Sequence, residues 1–145
     1  MMKTRKLTNY STEKNKILIK SKRFLLDTQI FIRLMQGNSY LSQDLIKILK
    51  DPQNLVFISV ASVWEIIIKR MNGKLKVPKN IEKSIRRAGF SILPIDILHV
   101  LGVEKLPILH KDPFDRILIA QAKEERCILI TNDSKIKRYN INILN

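Results

Sequence analysis

The sequence predicts an α/β fold of three layers, in which a five-stranded parallel sheet is covered by helices on both faces. Two observations support this prediction. From residue 24 onward, short apolar runs alternate with segments whose apolar residues recur at helical spacing, and this alternation is typical of parallel sheets. Apolar residues make up 45% of the 145 positions, which is enough for the core of one domain.

The strands are predicted from short apolar runs. They lie at residues 24–26, 56–58, 91–93, 128–130 and 141–144. Short runs that are rich in Leu, Ile, Val and Phe are typical of strands covered on both faces. We therefore expect helices to pack on each side of this sheet.

The helices are predicted between these strands from apolar spacing and from start and stop signals. They span residues 30–35, 41–49, 61–71, 80–88, 97–104 and 113–125, followed by a helical turn at 134–139. Asp51-Pro52 ends the second helix, and Gly73 ends the third. Asn80 can cap the fourth helix, and Pro113 suits the first turn of the sixth.

The first 23 residues differ from the rest of the chain. They are rich in Lys and Arg and poor in apolar residues. We interpret residues 1–23 as a basic N-terminal arm that is flexible in part, with an added strand at residues 17–19. Residues 24–145 then form the single predicted domain.

The charge of the chain predicts an anionic partner. Lys and Arg number 27 against 13 Asp and Glu, which leaves a net charge of +14. Nucleic acid, an acidic protein and an anionic membrane surface are the partners that such a balance favours. The chain has only a few aromatic residues, 6% of its length, which argues against a platform that binds RNA by stacking its bases.

Cysteine content and hydropathy restrict the setting. A single cysteine, Cys127, excludes an internal disulfide framework and a cysteine-rich zinc module. Its apolar neighbours predict a buried strand thiol in a reducing compartment. No segment approaches the roughly 20 apolar residues of a membrane span, and residues 17–19 are too short for a signal-peptide core. We therefore predict a cytoplasmic protein without a membrane partner.

Acidic residues follow several of the predicted strands. They are Asp27, Glu65, Asp112, Asp115 and Asp133. Ligand sites in parallel sheets lie at the carboxyl ends of the strands. If the first strand is central, with the second and fourth beside it, these acids converge on one edge, whereas Asp96 follows an outer strand and lies to the side.

Each of these acids also has a structural explanation. Asp27, Asp112 and Asp133 can cap helices, Ser62 and Glu65 have the spacing of a capping box, and Glu65 can pair with Lys69 on the same helix face. A crowded set of carboxylates instead needs a cation, and oxygen ligands favour Mg²⁺ or Mn²⁺. Such an ion within a basic body suits phosphodiester hydrolysis.

Several stretches of the chain resemble the PIN-domain nucleases, and among them the VapC-like toxins of type II toxin–antitoxin systems. The resembling stretches are LLDT at residues 25–28, SVASVWEI at 59–66, HKDPFDRILIAQA at 110–122 and LITND at 129–133, with GKL at 73–75 and Tyr139. The resemblance implies an endoribonuclease that depends on Mg²⁺ or Mn²⁺ and is held inactive by a cognate antitoxin, and it implies a homodimer.

The resemblance also implies roles for individual residues. Asp27, Glu65, Asp115 and Asp133 match the acids that bind metal and carry catalysis, and Asp112 is a further ligand or a support for one. Thr28 and Thr131 orient carboxylates or bind phosphate. Two departures from the family pattern are Gln29, where many relatives have His, and the basic arm.

Other residues keep alternative interpretations. His110 either binds phosphate or a metal ligand or is structural, and His99 is expected to be structural. Arg116 either contacts RNA or pairs with a carboxylate. Trp64 and Met71 are predicted to belong to an apolar core stripe of one helix.

Three functions remain open on the sequence alone. The first is a toxin ribonuclease with an antitoxin, which we favour. The second is a PIN nuclease of RNA processing without an antitoxin. The third is a non-catalytic RNA-binding or protein-interaction module with the same fold.

Overall fold

The structure is a computed structural model that describes residues 22–37 and 41–144. Most of the predicted arm, including the strand expected at residues 17–19, lies outside the described residues. The helices and strands, in chain order, are β1 Arg23–Leu26, α1 Thr28–Met35, α2 Gln43–Lys50, β2 Leu55–Ser59, α3 Val60–Met71, α4 Ile81–Arg87, β3 Ser91–Leu93, α5 Ile97–Glu104, α6 Pro113–Glu124, β4 Ile128–Ile130 and β5 Ile143–Leu144. A 3₁₀ turn at Ile136–Arg138 precedes β5.

All five strands form one parallel sheet in the order β3-β2-β1-β4-β5. Leu25 in β1 is paired with Phe57 of β2 on one side and with Leu129 of β4 on the other. The predicted fold class and the central position of the first strand are therefore confirmed. This order brings the carboxyl ends of β2, β1 and β4 next to one another.

The apolar side chains form one core on each face of the sheet. Because successive strand residues point to opposite faces, Leu26 of β1 packs with α1, α2 and α4, whereas Leu25 packs with α6. Ile66 of α3 belongs to the first core and Leu118 of α6 to the second, and both are fully buried. The three predicted layers are thus helices, sheet and helices.

Three expectations about α3 are wrong. Trp64 is 59% exposed and Met71 is 80% exposed, because the side of α3 that contains Glu65 and Ile66 packs inward. The Trp64 indole instead meets the Phe114 ring edge-on at 5.1 Å. Ser62 caps no helix, since the N-cap of α3 is Ser59 and Ser62 is buried.

Cys127 is a free, buried thiol directly before β4, which fits the buried position expected of it. Burial raises the pKa of this thiol, and the nearby Arg23 opposes that rise. Within residues 22–37 and 41–144, no helix combines the length and the apolar character that a membrane crossing requires.

Candidate active site

A cleft of about 370 Å³ lies at the carboxyl edge of the central strands. Its walls include all five acids that the sequence singled out: Asp27, Glu65, Asp112, Asp115 and Asp133. Asp96 is not among the lining residues. It caps α5, and its backbone N–H donates to His99 Nδ1 (3.0 Å). The expected convergence and the exclusion of Asp96 both follow from the strand order.

Asp27 is fixed by hydrogen bonds to both of its carboxylate oxygens. Its Oδ1 accepts from the backbone N–H groups of Gln29 (2.6 Å) and Ile30 (3.4 Å) and so caps α1. Its Oδ2 accepts from the hydroxyl of Thr131, which itself accepts from the N–H of Asp133 (3.0 Å). Asp27 thus caps α1, as predicted, and also lines the acidic cleft; its role as a metal ligand stays a prediction.

Glu65 lies on α3 with one carboxylate oxygen paired and the other without a partner. Its Oε2 is 3.2 Å from Lys69 Nζ, which is the ion pair expected one turn along the helix. Its Oε1 is buried and has no hydrogen-bond partner among the described residues. A buried oxygen in this state costs free energy unless a donor or a cation occupies the space beside it.

Asp112 and Asp115 begin α6. Oδ1 of Asp112 accepts from the N–H groups of Phe114 (2.8 Å) and Asp115 (3.4 Å), so Asp112 is the predicted N-cap. The carboxyl of Asp115 has its pKa raised to about 7 by burial, next by the charge of Asp112, and also by Asp27 and Glu65, while His110 lowers it. The acids of the cleft therefore repel one another as ionised groups.

His110 lies between two of the acids. Its Nδ1 accepts from the N–H of Asp112 (3.2 Å), which places the ring proton on Nε2. Nε2 is 2.8 Å from Oδ2 of Asp115 and 3.5 Å from Oδ2 of Asp133. The Nε2–H group points in a direction that makes no hydrogen bond to any described residue, so the contacts of His110 with Asp115 and Asp133 are electrostatic. Ligand atoms of His110, Asp115 and Asp133 all lie within 4.8 Å of one another.

Arg116 does not pair with a carboxylate of the described residues. Its guanidinium donates to the carbonyl oxygens of Val103 (3.1 Å) and Pro107 (3.0 Å) and to the hydroxyl of Tyr139 (3.2 Å). Longer contacts join it to the carbonyls of Leu106 and His110. These bonds hold the loop before α6, and a role for Arg116 in substrate binding stays a prediction.

The two threonines expected to bind phosphate use their hydroxyls inside the protein. Thr28 Oγ1 donates to Ser62 Oγ at 2.9 Å, and Thr131 donates to Asp27 as described. Both residues are buried. Thr131 therefore orients a carboxylate, that of Asp27, whereas the hydroxyl of Thr28 contacts only another hydroxyl among the described residues. Phosphate binding by either threonine remains a prediction.

A family-model comparison matches residues 24–142 to the PIN domain. The chain belongs to the PIN domain family. Members of this family are nucleases that depend on divalent metal ions. A comparison with curated proteins found no match.

Several solved structures share this fold. A chain of VapBC2 from Rickettsia felis bound to promoter DNA is 18% identical, with a TM-score of 0.66, and the match covers 85% of this chain and 98% of that one. DNA-bound VapBC from Salmonella typhimurium gives 17% identity, a TM-score of 0.64 and coverages of 85% and 97%. A toxin–antitoxin complex from Klebsiella pneumoniae gives 22% identity and a TM-score of 0.57, and the match covers 83% of this chain and 95% of that one.

The PIN cleft has a donor set that fits a divalent ion. Carboxylate oxygens dominate it, and hard oxygen ligands suit Mg²⁺ or Mn²⁺. The unpartnered Oε1 of Glu65 and the raised pKa of Asp115 fit a cation placed among these acids. Asp27, Glu65, Asp115 and Asp133 would hold the ion, with Asp112 beside them.

Two basic residues of the PIN cleft were not predicted as site residues, although Lys69 was expected to pair with Glu65 and, with Arg70, to lie either on a solvated face or along an RNA track. Arg33 of α1 and Lys69 of α3 both line it. Asp27, Ile30 and Arg33 recur every three residues along one ridge of α1, and Ile30 also lines the cleft. That spacing is the sequence signal for Arg33, and the four-residue interval from Glu65 is the signal for Lys69.

Proposed function

We propose that this PIN domain is an endoribonuclease that uses Mg²⁺ or Mn²⁺ and acts as the toxin of a type II toxin–antitoxin pair. The observation that supports it most is the convergence of five carboxylates in one cleft of a chain whose net charge is +14. The basic body attracts the phosphates of a nucleic acid. The acidic cleft provides a place where a divalent ion is favoured.

The side chains divide the work in this proposal. A bound ion supplies an activated water and neutralises charge on the reacting phosphate. Asp27 is held by the first turn of α1 and by Thr131, so its carboxylate needs no rearrangement to serve as a ligand. Glu65 offers its unpartnered Oε1. His110 holds Asp115 in place through the 2.8 Å contact.

Metal removal is the direct test of this function. The purified protein, free of any antitoxin, is expected to cleave single-stranded or structured RNA with Mg²⁺ or Mn²⁺ and to stop when EDTA is added. The affinity for RNA should fall with salt at a slope of about −0.7 per phosphate contact. Cleavage is followed on labelled RNA, with re-addition of the ion as the control. Cleavage that persists in EDTA contradicts the metal mechanism.

A second cavity supports the antitoxin part of the proposal. An apolar groove of about 370 Å³ lies between α1, α2 and α4. Its walls are mainly apolar, with two cations among them: Phe31, Leu34, Met35, Ile46, Leu49, Phe90, Lys50 and Arg87. An amphipathic segment with apolar anchors and acidic residues fits such a surface. Helix α1 contributes to both the groove and the cleft. A segment bound in the groove therefore needs to cross only this helix to reach the acidic cleft.

The groove can be tested with two matched methionines. Met35→Glu is expected to weaken co-purification with an antitoxin encoded beside the gene at least tenfold, since it places a charge in the apolar groove. Met71→Glu makes the same change at a site that is 80% exposed and outside the groove, and should leave binding intact. Equal behaviour of the two variants would refute the groove as the docking site.

The homodimer belongs to the same proposal. Four apolar side chains of α5 are 42–66% exposed, which is unusual for a single helix: Ile97, Leu98, Val100 and Leu101. An exposed apolar face of this kind marks an interaction surface, and a second copy offers the same apolar face in return.

The cytoplasmic location also stays part of the proposal and rests on the reduced, buried Cys127.

The RNA-processing alternative is less favoured than a toxin. One solved structure that shares the fold is a toxin–antitoxin complex, and two others are VapBC structures. The apolar groove beside the cleft also offers a docking surface for a protein partner. The non-catalytic alternative fits the charge of the chain, but it gives no reason for the unpartnered Oε1 of Glu65.

A further inference from the structure

The cleft contains basic side chains as well as acids, and their surroundings differ from those of the polar residues predicted to bind substrate. The side chains of those polar residues donate hydrogen bonds to groups inside the protein, as seen for Thr28, Thr131 and Arg116. The cleft is also lined by Arg33, which makes no ion pair among the described residues, and by Lys69, whose ion pair is with Glu65. These two residues are therefore the stronger candidates for contact with a phosphate.

Arg33 is half-buried and makes no ion pair with an acid of the described residues. It lies in the last turn of α1, where the helix dipole also favours a cation. Its guanidinium presents five donors in a planar fork, a shape that matches two phosphate oxygens. An arginine with these surroundings, beside a group of carboxylates, is thus prepared to bind an anion that approaches the cleft.

Lys69 is bound to Glu65 at 3.2 Å, yet its side chain remains 41% exposed. One carboxylate oxygen uses one of the three donors of the ammonium group. The remaining donors point to solvent or to a ligand. Lys69 therefore links the acidic part of the cleft to a surface where an anion is accepted.

The two cations lie beyond the acids along neighbouring helices. Arg33 follows Asp27 by six residues on α1, about 9 Å of helix rise, and Lys69 follows Glu65 by four residues on α3, about 6 Å. Helices α1 and α3 pack against each other. The acids and the cations thus form two successive parts of one cleft.

We propose that Arg33 and Lys69 bind the phosphate next to the one that is cut, and so fix the path of the RNA strand through the cleft. The inference rests on the proposed function. A phosphate that enters an acidic cleft is repelled except where an ion or a basic side chain lies. An ion held by the acids would neutralise the reacting phosphate, and Arg33 and Lys69 would neutralise the phosphate beside it.

The test uses Arg33→Gln on a short labelled RNA that the wild type cleaves. A contact made equally before and during the reaction changes KM and leaves kcat nearly constant. Loss of a charged hydrogen bond should raise KM about tenfold. The slope of log KM against log salt should shrink by about 0.7, the value for one phosphate contact on a single strand.

Lys47→Gln is the matched control. Lys47 also lies in the last turn of a helix, α2, and is exposed outside the cleft. Both variants lose one positive charge from the last turn of a helix, and the charge lost in the control lies outside the cleft. Lys69→Gln should raise KM, and Lys69→Arg, which keeps the charge but changes its geometry, should raise it less. Binding of the same RNA to the Asp115→Asn protein gives the salt slope without cleavage.

The outcomes separate the two proposals. If the wild type cleaves RNA but Arg33→Gln behaves as Lys47→Gln in KM and salt slope, the phosphate site is wrong and the nuclease function stands. If Arg33→Gln weakens only the binding of an antitoxin, the two cations bind acidic residues of that protein, and the phosphate site is again wrong. If no RNA is cleaved with either metal, the function itself fails, and the phosphate site falls with it.

Discussion

Replacing Asp115 with asparagine is expected to reduce cleavage by at least about 100-fold, because the bound ion supplies several kcal/mol of charge stabilisation and needs its ligands. The same change should stabilise the metal-free protein at neutral pH. Burial and the neighbouring charge of Asp112 raise the pKa of Asp115 to about 7. Asparagine is close in shape and removes the charge that these surroundings disfavour.

The stabilisation should depend on pH in a defined direction. The pKa of Asp115 is about 7 in the folded protein and near 3.8 when unperturbed, so the folded state holds its proton more tightly than the unfolded state. The free energy of unfolding therefore falls as pH rises through that window. The asparagine side chain has no proton to lose, so the difference in stability between variant and wild type should be absent near pH 3.8 and largest above pH 7.

Thermal unfolding in EDTA across this pH range measures the effect. Adding Mg²⁺ should reverse the order of stability, since an ion that binds the folded wild type stabilises it. Asp96→Asn is the control, because Asp96 also caps a helix after a strand but lies outside the cleft. It should change neither cleavage nor the response to Mg²⁺. A wild-type rate for Asp115→Asn would contradict the nuclease assignment.

Asp27 gives the second large effect, and the choice of substitution separates its two roles. Asp27→Asn keeps a side-chain oxygen for the N–H groups of Gln29 and Ile30, and Asn caps helices about as well as Asp. The Asn amide nitrogen takes the place of Oδ2 and cannot accept the proton of Thr131, so stability should fall, although by less than in Asp27→Ala, whereas cleavage should fall at least about 100-fold.

Asp27→Ala removes both roles. It deletes the helix cap, at about 1 kcal/mol, and it leaves the buried hydroxyl of Thr131 without its acceptor, at about 1–3 kcal/mol. Urea unfolding of the two variants, together with an RNA cleavage assay, distinguishes capping from metal binding. If both variants unfold alike, the cap contributes little. If Asp27→Asn retains cleavage, the carboxylate is not a metal ligand.

Much of the fold is predictable from the sequence because its signals are local. A short apolar run predicts β1, and an N-cap residue followed by proline predicts the start of α6, so each signal lies within a few residues. The strand order needed one assumption, that β1 is central, and the structure confirms it. Once the order is known, convergence of the acids follows from the geometry of parallel strands.

The errors arose where packing decides the result. In helix α3 the buried side includes the polar residues Ser62 and Glu65, whereas Trp64 and Met71 of the apolar stripe are exposed. Apolar spacing therefore indicated the wrong inward side. The contacts of Arg116 were also hidden, because carbonyl acceptors are present in every residue and only the folded loop brings them to one guanidinium. Arg33 was missed because its three-residue spacing from Asp27 and Ile30 indicates a position in the cleft only once Asp27 is known to lie there.

The unequal bonding of the acids predicts how a copy of this domain would decay if cleavage were no longer selected. Asp27 and Asp112 each cap a helix, so the need to fold would retain them in an inactive descendant. Glu65 and Asp115 cap nothing, and the surroundings of Asp115 oppose its charge. Drift would replace these two first, and their presence, more than that of the two caps, distinguishes a working nuclease from an inactive relative.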